Sequence, residues 1–243
     1  MSNIENQLGK TRWGMIAKLI VSRLELIKLN FFKLNPLEKT GLSLVKNIFT
    51  EDSGSIFSIL LFGGYTVLTS PGELLNIWNQ SRIMNGHDGA YAEVGVFRGA
   101  SAKLICEAKG QNELHLFDTF SGLPKVGQTD PRFREGMFEA SEEEVKTRLS
   151  KYPGVKIYKG LFPDTAEPVR NLKFSFVHLD VDLYSSTRAA LEFFYPRMLP
   201  GGRILSHDYG QCEGVWKAFD EFFTDKPEKL EPMETSQVMI IKS

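Results

Sequence analysis

Only two cysteines, Cys106 and Cys212, occur in 243 residues. That is too few for a disulfide framework, and they lack the CxxC spacing of a zinc site. Both are expected to be free thiols that do no more than pack, in a reducing compartment, which places the protein in the cytoplasm. Charge of one sign is scarce as well: 29 Lys and Arg stand against 30 Asp and Glu, a net charge of −1. Phosphate binding usually shows as a basic excess, so nucleic acid is not expected as a partner. Long hydrophobic runs are missing. The first apolar stretch, MIAKLIVSRLELIKLNFF, is broken by Lys18, Arg23, Glu25 and Lys28. Those charges exclude a secretory signal and a spanning helix, which needs about 20 mostly apolar residues. There are no repeats and no low-complexity segments. What remains, 42% hydrophobic and 24% charged, is ordinary for a globular protein. The length suits one large domain with an elaboration.

The charge is unevenly spread. Residues 1–50 hold eight Lys and Arg against three Glu. Within them Trp13, Ile16, Ile20, Leu24, Ile27, Phe31 and Leu34 recur at spacings of three and four, which predicts one face of a long amphipathic helix that Pro36 ends. Such a face packs on the main domain or on a second subunit, so a homo-oligomer is expected; weak contact with a membrane surface through the basic face is the alternative. Residues 1–62 are read as a helical extension and 63–243 as the main domain.

From residue 70 the pattern changes. SPGELLNIWNQSRIM starts a helix with Ser70 as N-cap, Pro71 at the first helical position and Glu73 closing a capping box. Strands and helices then alternate. GAYAEVGV, NELHLFDTF, VKIYKG, FSFVHLDVD, GGRILSHDY and QVMIIKS read as strands. GASAKLICEAKG, SEEEVKTRLSKY, STRAALEFFYPRM and EGVWKAFDEFF read as helices. This alternation predicts an α/β fold with a mostly parallel sheet covered on both faces, and such folds bind ligands beyond the carboxyl ends of their strands.

Three constellations carry chemistry. AEVGVFRGAS sets Glu93, Gly95 and Gly99 in an E-x-G-x-x-x-G turn that leads into a helix. Glycines there let the backbone turn tightly and approach a ligand at the helix N-terminus. A dinucleotide loop would place its first glycine where Glu93 stands; an acid suits a ligand with positive charge near the turn, such as S-adenosylmethionine. Asp118 ends the second strand, where an acid can accept both hydroxyls of a ribose; the alternative is an Asp that caps the next turn. At the end of the fourth strand, Asp180 and Asp182 stand two apart and so on one face of an extended chain. The fifth strand brings His207 and Asp208 alongside. Three converging carboxylates repel one another, and a divalent cation resolves that conflict, with oxygen ligands favouring Mg²⁺ or Mn²⁺. Alternatively, Asp182 or Asp208 caps the helix that follows. His178 reads as core, and His87 and His115 join no constellation. The loop of residues 125–140 is expected to shape an acceptor pocket.

AEVGVFRGASA, LFDTFSGLP, KGLFPDT, LDVDLYSST and GGRILSHDYG, in this order, resemble the macrocin O-methyltransferase family, metal-dependent sugar O-methyltransferases of macrolide and aminocoumarin biosynthesis. The likeness runs from GGYTVLTSPGELL to FDEFF, about two-thirds of the chain. It implies a Rossmann-like class I methyltransferase sheet of seven strands that binds S-adenosyl-L-methionine. By position it implies Glu93, Gly95 and Gly99 in the cofactor turn, Asp118 at the ribose with Thr119 beside it, and Tyr65 and Thr66 toward the methionine end. Asp180 and Asp208 would then be metal ligands, Asp182 the general base, and a hydroxyl of a small molecule or glycan the acceptor. The family's fifth strand commonly ends in two acids, and here the first is His207. As a softer, neutral ligand it would weaken Mg²⁺ or favour a transition metal; otherwise it stays off the metal and acts as a base. A nucleotide-dependent oxidoreductase and a non-catalytic cofactor-binding protein are the other readings of the same sheet.

Overall fold

A computed structural model describes residues 69–243, together with Thr40. The predicted helix of residues 12–34, the rest of the 1–62 extension apart from Thr40, and Tyr65 and Thr66 lie outside the described residues. Helix α1 (Pro71–Ile83) opens with the predicted capping box: Ser70 Oγ accepts from the Glu73 N–H, and Glu73 Oε2 accepts from the Ser70 N–H at 2.7 Å. Then follow β1 (Ala90–Val94), α2 (Ala100–Ala108), β2 (Leu114–Asp118), α3 (Glu142–Leu149), β3 (Val155–Lys159) and β4 (Phe174–Leu179). Helix α4 (Tyr184–Phe194), β5 (Met198–Ser206), α5 (Glu213–Phe223), β6 (Glu231–Pro232) and β7 (Val238–Ile241) complete the described chain.

The seven strands form one sheet in the order β3-β2-β1-β4-β5-β7-β6. β1 to β5 run parallel, β7 pairs antiparallel with β5, and β6 is a two-residue edge on β7. The strand order reverses between β1 and β4, and an α/β sheet opens its ligand crevice at such a point. Side chains alternate across the sheet. Ala92, Val94, Val177 and Ile204 join Leu191, Phe194, Val215 and Phe219 of α4 and α5 on one face. Tyr91, Leu116, Phe176 and Leu205 join Ile77, Ile105 and Val145 of α1, α2 and α3 on the other. Burial of both faces explains why the parallel strands read as nearly unbroken apolar runs. Among the described residues no helix is long and apolar enough to cross a membrane.

The strands stop earlier than the apolar pattern suggests, and the stops build the site. β1 ends at Val94 because Gly95 turns to φ +86°. β4 ends at Leu179, and Asp182 adopts φ +59°. The expectation that Asp180 and Asp182 share one face of a strand is therefore corrected: both lie in the turn after β4, where a short polar side chain tolerates the left-handed backbone.

Candidate active site

The carboxyl ends of β1, β2, β4 and β5 meet around a cleft of about 330 Å³, a size that suits a small ligand. Its floor is a lattice of backbone hydrogen bonds. Gly95 N–H donates to Phe117 O at 2.9 Å, Asp180 N–H to Val94 O at 2.9 Å, and His207 N–H to Leu179 O at 2.8 Å. Gly95 has no room for a side chain, since a Cβ would fall 1.7 Å from the Asp180 carbonyl oxygen. The glycine turn and the first aspartate are thus fitted to each other. Gly99 serves backbone freedom instead: it caps α2 at φ +82°, with its nearest neighbour, Val145, 3.4 Å from a Cβ.

Glu93, expected in the ligand turn, sits behind it. It is fully buried, it does not line the cleft, and its Oε1 lies 2.8 Å from Nδ1 of the equally buried His178 on the neighbouring strand. Burial raises the Glu93 carboxyl to about 8 and lowers the His178 imidazole to about 4, so both shifts leave the pair neutral, with the proton on the glutamate. His178 is core, as read, but core with a polar partner. Of the two alternatives for Asp118, the structure bears out the turn cap. Its Oδ1 accepts from Phe120 N–H at 2.7 Å, capping the next turn, and its Oδ2 accepts from Val96 and Phe97 N–H at 2.7 Å each. A carboxylate has about four acceptor positions, so one remains toward the cleft rather than the two that a pair of ribose hydroxyls would use. Thr119 also lines the cleft, but its hydroxyl donates to Gly122 O at 2.6 Å.

Asp180, His207 and Asp208 converge so that one ligand atom from each lies within 4.8 Å of the others; Asp182, Asp208 and Cys212 do the same, with Asp208 common to both groups. Neither Asp182 nor Asp208 caps a helix. The α4 N-cap, Leu183, and the α5 N-cap, Cys212, accept no side-chain bond. Burial, and then mutual repulsion, hold all three carboxyls well above the usual carboxylate range. A cation among them would reverse that sign by favouring the ionised form. Buried, unpartnered atoms point the same way: Asp208 Oδ2 and His207 Nδ1 have no hydrogen-bond partner. His87 and His115 stay out of the cleft; His115 pairs with Tyr158 and Glu113 instead.

Several residues here were not singled out from sequence. Asp130, only 3% exposed, reaches from the 125–140 loop to accept from Tyr184 N–H at 3.2 Å, capping α4 from outside the helix. Arg132 lines the cleft and donates from Nη2 to Cys212 Sγ at 2.7 Å. The expectation that Cys212 only packs is therefore corrected: its sulfur faces Asp182 and Asp208 and anchors the loop, while burial raises the thiol and keeps it neutral. Phe97 and Phe138 meet edge to face at 6.2 Å, and Phe133 adds to the same wall at 6.4 Å from Phe138. The loop expected to shape the acceptor pocket does line the cleft. A D-P-R-F string in a loop offered a faint signal, but nothing local says what it touches.

A family model described as macrocin O-methyltransferase matches residues 74–239. Among curated proteins, the chain is 31% identical over 144 residues to the 8-demethyl-8-(2,3-dimethoxy-alpha-L-rhamnosyl)-tetracenomycin-C 4'-O-methyltransferase of Streptomyces olivaceus, covering 52% of this chain and 55% of that protein. It is 29% identical over 157 residues to the demethyldecarbamoylnovobiocin O-methyltransferase of Streptomyces niveus, covering 58% and 60%. The match thus spans little more than half the length of either relative. Among solved structures, the O-methyltransferase NovP superposes with a TM-score of 0.66 at 22% identity, covering 85% of this chain and 99% of that one. An O-methyltransferase from Bacillus cereus, in complex with SAH, superposes with a TM-score of 0.53 at 13% identity, covering 84% and 91%. At these identities the superpositions speak for the fold, that of class I methyltransferases.

Proposed function

The chain belongs to the macrocin O-methyltransferase family, and on that premise we propose that it transfers the methyl group of S-adenosyl-L-methionine to a sugar hydroxyl of a small-molecule or glycan acceptor, assisted by a divalent cation. The observation that carries the reading is the meeting of Asp180, Asp182 and Asp208 beside the glycine turn, in one cleft at the switch point of the sheet. A non-catalytic binding protein has no use for three crowded acids. An oxidoreductase would want a glycine where Glu93 stands.

The residues present fit both groups. The cleft beside Gly95 is walled by Val94, Phe117 and Phe162, apolar surface against which a nucleoside packs. Asp180 and Asp208 supply hard oxygen donors, and the orphaned Oδ2 of Asp208 is one of them. When bound, the cofactor supplies an electrophilic methyl on a sulfonium, and the cation, held by Asp180 and Asp208, lowers the pKa of the acceptor hydroxyl. The chain does the rest. Asp182 takes the hydroxyl proton on its carboxylate oxygen, from its place beside Asp208 in the cleft. The Val94–Asp180 and Gly95–Phe117 bonds fix the turn against the acids, so donor and acceptor keep one orientation. Phe97, Phe133 and Phe138 exclude water and offer apolar faces to a sugar ring.

The direct test supplies the intact chain with methyl-labelled S-adenosylmethionine, Mg²⁺ or Mn²⁺, and rhamnosylated polyketide or aminocoumarin glycosides. Label appearing on a sugar oxygen is the expected result. Calorimetric binding of NAD but not of S-adenosylhomocysteine would overturn it in favour of an oxidoreductase. Binding of S-adenosylhomocysteine without transfer to any hydroxyl acceptor would favour a binding protein.

A further inference from the structure

We propose that His207 is a nitrogen ligand of the cation site, held in place by Glu73, and that the site therefore prefers a first-row transition ion such as Mn²⁺ or Fe²⁺ over Mg²⁺. The inference rests on the cation-assisted reading above and goes beyond it in naming the ligand set and the ion class.

His207 is 6% exposed, and its ring stands against His178 at 6.1 Å, nearly perpendicular. One ring nitrogen, Nε2, lies 3.7 Å from Glu73 Oε2. The other, Nδ1, is buried with no hydrogen-bond partner. A ring nitrogen of His207 belongs to the group that closes within 4.8 Å on Asp180 and Asp208. With Nε2 turned to Glu73, Nδ1 is the nitrogen left with a free lone pair.

Glu73 is suited to hold the imidazole because it cannot itself move. It is 4% exposed, its Oε2 takes the Ser70 N–H at 2.7 Å, and its Oε1 takes the Ser236 hydroxyl. Ser236 Oγ also lies 2.8 Å from the His207 carbonyl, so one small cluster grips both Glu73 and the backbone of the ligand. A carboxylate that faces the far nitrogen of a ligating histidine fixes the tautomer and raises the basicity of the near one. The Oε2 that closes the helix cap is also the oxygen that faces the ring, while Oε1 is anchored by Ser236.

One imidazole and two carboxylates make a mixed nitrogen and oxygen set. Mg²⁺ seeks oxygen ligands alone, whereas imidazole raises affinity for first-row transition ions. A neutral imidazole also brings one negative charge fewer than a third carboxylate would, which weakens a hard cation that binds by charge.

The test titrates the intact chain with Mn²⁺, with S-adenosylhomocysteine present, and reads bound ion by electron paramagnetic resonance and Mg²⁺ by competition. Pulsed measurements on the wild type should show coupling to a directly bound nitrogen, which needs no variant to fold. His207→Asp should lose that coupling, still bind Mn²⁺, and lower the Mn²⁺-over-Mg²⁺ preference by at least about tenfold. Glu73→Gln keeps an acceptor for the Ser70 cap; it should weaken Mn²⁺ by about 10–100-fold while S-adenosylhomocysteine affinity stays within about twofold. Mn²⁺ bound without nitrogen coupling overturns this proposal and leaves the cation-assisted reading intact. Binding of S-adenosylhomocysteine with no Mn²⁺ or Mg²⁺ bound at millimolar concentration overturns both.

Discussion

Replacing Gly95 by alanine tests the coupling between the cofactor turn and the acidic cluster. The added Cβ would lie 1.7 Å from the Asp180 carbonyl oxygen and 2.7 Å from its carbon. Both obstacles are backbone, and Asp180 is tied to Val94 O by its own N–H at 2.9 Å, so no rotamer change relieves the clash. Two costs combine. A non-glycine residue in the left-handed region costs about 1–2 kcal/mol, and forced backbone displacement in a packed site costs about 1–3 kcal/mol. Their sum, about 2–5 kcal/mol, lowers Tm by about 4–20 °C for a chain of this size. Gly86→Ala is the control: φ is +83° there, but nothing lies within 4 Å of a Cβ, so only the conformational cost applies. Thermal unfolding of both variants should therefore separate them by at least about 1 kcal/mol. Calorimetry should show S-adenosylhomocysteine affinity falling at least about tenfold in Gly95→Ala alone, equivalent to about 1.4 kcal/mol. Equal Tm losses in the two variants, with unchanged affinity in both, would refute the fitted-floor reasoning.

Other predictions address single residues. Asp182→Asn should lower kcat by about 10²–10⁴-fold and leave S-adenosylhomocysteine binding unchanged; turnover within threefold of wild type would rule Asp182 out as the base. Asp130→Ala removes the α4 cap, which should cost about 0.5–2 kcal/mol, and it should raise the acceptor KM more than it lowers kcat, measured by unfolding and initial rates. Glu93 carries a pH signature. Its carboxyl titrates at about 8 when folded against 4.5 ordinarily, so the folded state keeps a proton that the unfolded chain has released, and stability falls as pH rises through that window. His178, lowered to about 4 from 6.5, opposes this only below 6.5. Between pH 6.5 and 8 the wild type should thus lose on the order of 1 kcal/mol per pH unit relative to Glu93→Gln; parallel Tm profiles for the two would contradict the neutral pair.

The alternation of strands and helices, the capping box and the glycine turn were legible in the sequence because each depends on neighbours within a few residues. Six of the seven strands were read in the sequence, and the two-residue β6 went unseen. The site was legible as a set of residues but not as a geometry. In HLDVD the apolar period runs past Leu179, so periodicity alone extends the strand; in the structure β4 ends at Leu179 and the chain turns, with Asp182 at φ +59°. Residues with one local explanation concealed a second role. Glu73 closes a helix cap with Ser70 and also faces His207, which lies 134 positions later and is brought near only by packing of α1 on the sheet. Asp118 caps its own turn and also holds the N–H groups of Val96 and Phe97. Asp130 caps a helix that begins 54 residues away. Each of these carboxylates keeps acceptor positions beyond its local bond and uses one across the fold. A carboxylate already explained by a local motif therefore still has an acceptor to place, and in this chain that second acceptor is where the local motifs meet the active site.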